Sequence, residues 1–180
     1  MKQSARAKAA ATRVLEESGV VSFPIPIKTL AESHAVLLYE SMEDDISGML
    51  IPLKGSVAGK DWAIVVNSTH AKTRQNFTLA HELGHLLLHG YTTPHADRTF
   101  KLRYRKASDA IGSVLEEIEA NQFAAELLMP EGLLLEKLVD EGLEYVPAGE
   151  DEDDPRIAKL ASDLKVSRQA LTIRLSTLML

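Results

Sequence analysis

The chain has 180 residues, 45% hydrophobic and 26% charged, with no cysteine and a formal net charge of −6. That length suits one domain with a sizeable core, so no metal or disulfide is needed merely to hold it together. The missing thiols exclude thiolate metal sites, disulfide frameworks and cysteine nucleophiles, the acidity argues against generic binding to a phosphate backbone, and no apolar run reaches the ~18 residues of a membrane helix.

Residues 4–18 are alanine-rich and predict an opening helix stopped at Gly19. The charged start carries no apolar stretch of the kind a secretory signal requires, so a cytoplasmic address is expected. Pro24 and Pro26 interrupt the chain before a short helix over 27–33. Residues 35–39, 48–52 and 62–66 then read as strands, divided by turn signals at 54–56 and 59–61. Three neighbouring strands on short connections predict a small antiparallel sheet.

A helical pattern follows over 71–89, with Gly90 placed to end it. A second long helix covers 109–129, closed by Pro130, and a shorter one covers 131–140. The fold class is therefore α+β: a short antiparallel sheet of about three strands packed by helices, with a C-terminal helical extension. The expected organisation is a main domain over 1–145, an acidic linker over 146–155 and a helical pair over 156–180 packed on the main domain. The linker's carboxylates lack the alternating spacing and internal glycine of a calcium loop, so it reads as a solvated loop.

His81-Glu82-Leu83-Gly84-His85 carries the chemistry. Four residues advance a helix by about 400°, which leaves the two imidazoles about 40° apart on one face and one turn apart. Both rings can then reach a single cation. Zinc suits neutral imidazole, and three protein ligands leave a fourth position open for water. Glu82, one step round the helix, is the candidate general base.

Two histidines need a third ligand. A histidine on the same continuation is ruled out, because Leu88 and Tyr91 occupy the positions that need a glycine and a histidine. The later helix offers Glu116, Glu117, Glu119 and Glu126. Apolar Ile118, Phe123, Ala124 and Leu127 mark its buried side, and Glu117 borders that side with Asn121 one turn on. Glu119 lies about 200° from Glu117, so the two cannot serve one ion. Glu117 is the expected third ligand, and Asn121 the group that orients a ligand histidine. His89, Tyr91 and His95 follow closely enough to be weighed as a second oxyanion donor, but each reads better as structural or solvent-facing.

Two basic features complete the pattern. Arg98, Lys101, Arg103, Arg105 and Lys106 stand against Asp97, and read as an exposed loop rather than a substrate guide or nucleic-acid contact. The tail around 161–175 has helix-turn-helix character, with Ser167 as a cap and Arg168 and Arg174 exposed. Its apolar content, Val166, Leu171, Ile173, Leu175 and Leu178, favours packing on the main domain over nucleic-acid binding.

Taken together, Phe77-Thr78-Leu79-Ala80-His81-Glu82-Leu83-Gly84-His85 and Glu117-x-x-Ala120-Asn121-x-Phe123-Ala124-Ala125, ending in Leu127-Leu128-Met129-Pro130, resemble the ImmA/IrrE family of zinc metallopeptidases. The resemblance covers roughly 24–130. It implies a small zincin-like domain with one Zn2+ held by His81, His85 and Glu117, and with Glu82 as catalytic base. It further implies intracellular cleavage of a helix-turn-helix transcriptional repressor in mobile-element or stress regulation. Longer relatives carry an N-terminal helix-turn-helix that is not seen here, so the repressor is expected to be a separate protein. The rival reading is a non-catalytic, toxin–antitoxin-like module that binds a partner protein or DNA.

Overall fold

The computed structural model describes residues 2–98, 107–143 and 154–178. Most of the acidic linker, and Lys101, Arg103, Arg105 and Lys106 of the basic cluster, lie outside the described residues. Helix α1 (Lys2–Ser18) and helix α2 (Ile27–His34) precede strands β1 (Val36–Glu40), β2 (Ile46–Val57) and β3 (Lys60–Asn67). Helix α3 (Lys72–Leu88), strand β4 (His95–Arg98), helix α4 (Ala107–Leu128) and helices α5 (Glu131–Asp140), α6 (Pro155–Leu164) and α7 (Arg168–Leu178) follow. The α+β class with C-terminal helices holds. No described helix is long and apolar enough to cross a membrane.

The sheet differs from the expected one in two respects. It has four strands, in the order β1-β3-β2-β4, and β1 runs parallel to β3 while the other two pairs are antiparallel. The cause lies in the segment after β1. Asn67, fully buried at the end of β3, donates from Nδ2 to the carbonyls of Met42 (3.3 Å), Glu43 (3.2 Å) and Ile46 (2.9 Å). That segment is thereby drawn across the end of β3, so β2 enters on the far side and β3 lies between β1 and β2. Buried on both faces, β3 carries the continuous apolar run Ala63-Ile64-Val65-Val66 instead of an alternating pattern.

The expected turn at 54–56 is a second correction. β2 continues through it with a register shift between Pro52 and Val57, eased by Gly55 at φ +95°. The chain reverses instead at Ala58 (φ +52°) and Gly59 (φ +76°), a two-residue loop with both positions left-handed. Such a loop matches the twist of a hairpin.

Helix α3 is the middle of the molecule. An amphipathic helix buries one stripe, yet here every residue from Thr78 to His85 is buried, so the helix is covered all round. It touches β2 and β3, α4, and also α1 and α2, while α1 packs along α4. Helices α6 and α7 and the turn between them add Ile157, Leu160, Ala161, Leu164, Val166, Leu171 and Leu175 to the same core. Ser167 Oγ accepts the Ala170 N–H at 3.1 Å, capping α7.

Arg174 does not lie at the surface as a helix-turn-helix reading needs. It is 6% exposed, its Nε donating to the Met129 carbonyl at 3.1 Å and its two terminal nitrogens to Glu126 at 2.9 and 2.6 Å. Of the tail's apolar residues, Val166, Leu171 and Leu175 join the core, whereas Ile173 is 57% exposed.

Candidate metal centre

Three ligand-capable groups from two helices meet at one point. His81 and His85, one turn apart on α3, are 3% and 0% exposed, and their Nε2 atoms stand 2.9 Å apart. Glu117 of α4 brings Oε2 to 3.3 Å from His81 Nε2 and Oε1 to 3.2 Å from His85 Nε2. A tetrahedral ion with bonds of about 2.0–2.1 Å has ligand–ligand separations of roughly 3.3 Å. Glu117 presents a different oxygen to each imidazole at about that separation, the two nitrogens stand closer, and two nitrogens with a carboxylate are a donor set that divalent zinc accepts. The residues fit the ion. Glu117 is the most exposed of the three, its side chain 32% accessible, so the site opens to solvent on the α4 side.

The opposite ring atoms assign the tautomers. His81 Nδ1 lies 3.1 Å from Asn121 Oδ1, and an amide oxygen only accepts, so Nδ1 carries the proton and Nε2 presents its lone pair. His85 Nδ1 lies 3.1 Å from the Tyr91 hydroxyl, which itself donates to Glu116 Oε2 at 3.0 Å. With its own proton committed to the carboxylate, the hydroxyl accepts from His85, which again leaves Nε2 bare. Burial first, then the hydrogen bond to Glu116, pushes the Tyr91 phenol well above its ordinary range, so it remains a donor.

The four glutamates of α4 separate by phase as the helical geometry requires. Glu117 joins the histidines. Glu116, about 100° away round the helix, turns to Tyr91. Glu119, 5% exposed, pairs with Arg6 at 3.2 Å and stands 3.8 Å from His89 Nδ1, facing α1. Glu126 holds Arg174. Glu82 is fully buried and packs toward the sheet, where a Cβ built on Gly48 of β2 would stand 3.1 Å from its Oε1.

Of the groups weighed as oxyanion donors, His89 donates from Nε2 to the Glu116 carbonyl at 3.2 Å and serves the joint between α3 and α4. The Tyr91 hydroxyl sits behind His85, on the Nδ1 side, away from the point where the ligands meet. The Tyr91–Glu116 pair is the element that sequence reasoning missed. Its only signal was a tyrosine six residues after the second histidine with a glutamate beside the ligand carboxylate, and nothing in either spacing joins the two.

A buried pair of imidazoles one turn apart and a carboxylate from a second helix, with a buried glutamate adjacent, form a cluster able to hold a metal ion on a small α+β domain. The family model described as the IrrE N-terminal-like domain, a peptidase family, matches residues 35–176, and the chain belongs to that family. No curated protein matches the chain.

Proposed function

We propose that the chain is a zinc-dependent endopeptidase, with His81, His85 and Glu117 as metal ligands, Asn121 orienting His81, and Glu82 as general base. The observation that carries this reading is the convergence of two imidazole Nε2 atoms and one carboxylate at separations of 2.9, 3.3 and 3.2 Å. A cation held there supplies the Lewis acidity that acidifies a water and polarises a peptide carbonyl. Glu82 takes the proton of the attacking water and returns it to the departing amine. Its burial against Gly48 limits the carboxylate's rotation and excludes competing solvent. The Nδ1 hydrogen bonds keep both imidazoles facing the reacting point.

The substrate class is protein, and within it a helix-turn-helix transcriptional repressor in the cytoplasm is the proposed target, on the strength of the family resemblance. A role confined to binding a partner or DNA is weaker on two counts. It gives no reason for a buried glutamate beside the ligand pair, and Arg174, one of the cations it would use, is committed to Glu126. Incubation with the helix-turn-helix protein encoded beside it tests the reading. Cleavage that is stopped by a chelator and by Glu82→Gln is expected. Binding without cleavage by zinc-loaded protein, whatever the stimulus, would favour the rival.

A further inference from the structure

The two ligand histidines are backed unequally, and from that inequality we infer that Tyr91 and Glu116 are positioning residues for the metal site. The inference rests on the metal-site reading above. Behind His81 stands a neutral amide, Asn121, at 3.1 Å. Behind His85 stands a phenol at 3.1 Å, with an anionic carboxylate beyond it at 3.0 Å. The His85 ring is thus fixed from behind by a chain of two hydrogen bonds that ends on α4, whereas the His81 ring is fixed by one.

The packing supports a fixed relay rather than a chance contact. The Tyr91 ring lies with its centroid 5.8 Å from that of His85 and 6.0 Å from that of His89. His89 in turn donates to the backbone carbonyl of Glu116 at 3.2 Å, tying the segment after α3 to the same turn of α4 that bears the ligand. Glu116 and Glu117 are adjacent, and their side chains leave the helix about 100° apart. One carboxylate therefore reaches the ion site while its neighbour supports a histidine from the rear. A single turn of α4 sets both the third ligand and the orientation of the second.

Tyr91→Phe deletes the hydroxyl and keeps the ring. Glu116→Gln keeps an acceptor and removes the charge. Zinc affinity is measured by competition with a chromophoric chelator for wild type and both variants, alongside the visible spectrum of the cobalt-substituted proteins and the melting of the metal-free forms. The expected result is a loss of about ten- to a hundredfold in affinity for Tyr91→Phe and a smaller loss for Glu116→Gln. The cobalt spectrum should change, and metal-free melting should not. Wild-type affinity and spectrum in Tyr91→Phe would overturn the inference. So would a loss of affinity matched by equal destabilisation of the metal-free protein, which signals packing alone. Wild-type protein that takes up no zinc would instead remove the underlying metal-site reading, and this inference with it.

Discussion

Gly84 on α3 lies against the ring of Phe123 on α4 so closely that a Cβ built on it would stand 2.9 Å from Phe123 Cδ1. The absence of that one carbon sets the distance between the two helices that carry the proposed ligands. Glycine inside a helix costs roughly 0.5–1 kcal/mol relative to alanine, and here the cost permits the close approach. Gly84 is therefore a geometric part of the proposed metal site although it offers no ligand atom.

Gly84→Val should force the helices apart. Overpacking of this kind costs about 1–3 kcal/mol, and zinc affinity should fall with stability because Glu117 moves relative to the histidines. Urea unfolding of the metal-free protein, together with chelator competition, checks both. An unchanged denaturation midpoint would contradict the close-approach argument.

Gly48 plays the matching part beneath Glu82, the proposed base. A Cβ there would meet Thr78 Cγ2 at 2.5 Å and Glu82 Oε1 at 3.1 Å. Gly48→Ala is expected to displace the Glu82 carboxylate and lower turnover by about tenfold or more, as misplacement of a catalytic group does, while zinc content stays at the wild-type level. Turnover equal to wild type with an intact fold would show that Glu82 has room to spare.

The pair formed by Arg174 and Glu126 is largely removed from water, with side chains 7% and 15% accessible. Arg174→Met should cost about 3–5 kcal/mol, because it leaves a carboxylate partly buried with its partner gone. Arg174→Met combined with Glu126→Leu should recover much of that loss. Equilibrium unfolding of the wild type and the two variants measures it, and equal losses for the single and double variants would show that Glu126 carries no such penalty.

Glu141 is held low, to about 2, by hydrogen bonds from Lys159 and then Lys137, joining the end of α5 to α6. Its folded-state pKa lies below the unfolded value of about 4.3. The contribution is thus present above that value and is lost as pH falls toward 2. Lys159→Met should flatten stability against pH across that acid window and leave it nearly unchanged near neutrality apart from the loss of a salt-screened surface pair. A pH profile parallel to wild type below pH 4 would contradict the assignment.

The parts of this molecule that could be read from sequence are those fixed by local spacing. His81, Glu82 and His85 sit within one turn and a half of helix, so their common face follows from the helical repeat alone. Glu117 and Asn121 followed from the phase of a second helix whose Phe123, Ala124 and Leu127 enter the core, although Ile118, counted on that same side, is 43% exposed. Tyr91 and Glu116 escaped because their partnership depends on how the chain leaves α3 and returns to α4, which no spacing encodes. The parallel pairing of β1 with β3 escaped for a similar reason: it is set by one buried amide, Asn67, gathering the carbonyls of the connecting segment. Gly55 and Gly59 give equal turn signals in sequence, and only the strand register decides that one bulges and the other reverses the chain.

Zinc stoichiometry of the purified protein, compared with Glu117→Ala and Glu82→Gln, tests the central claim most directly. Wild type and Glu82→Gln should each hold one equivalent against a moderate chelator, while Glu117→Ala, which removes one of the three ligands, should lose it. Full retention of zinc by Glu117→Ala, or its loss from Glu82→Gln alone, would contradict the account.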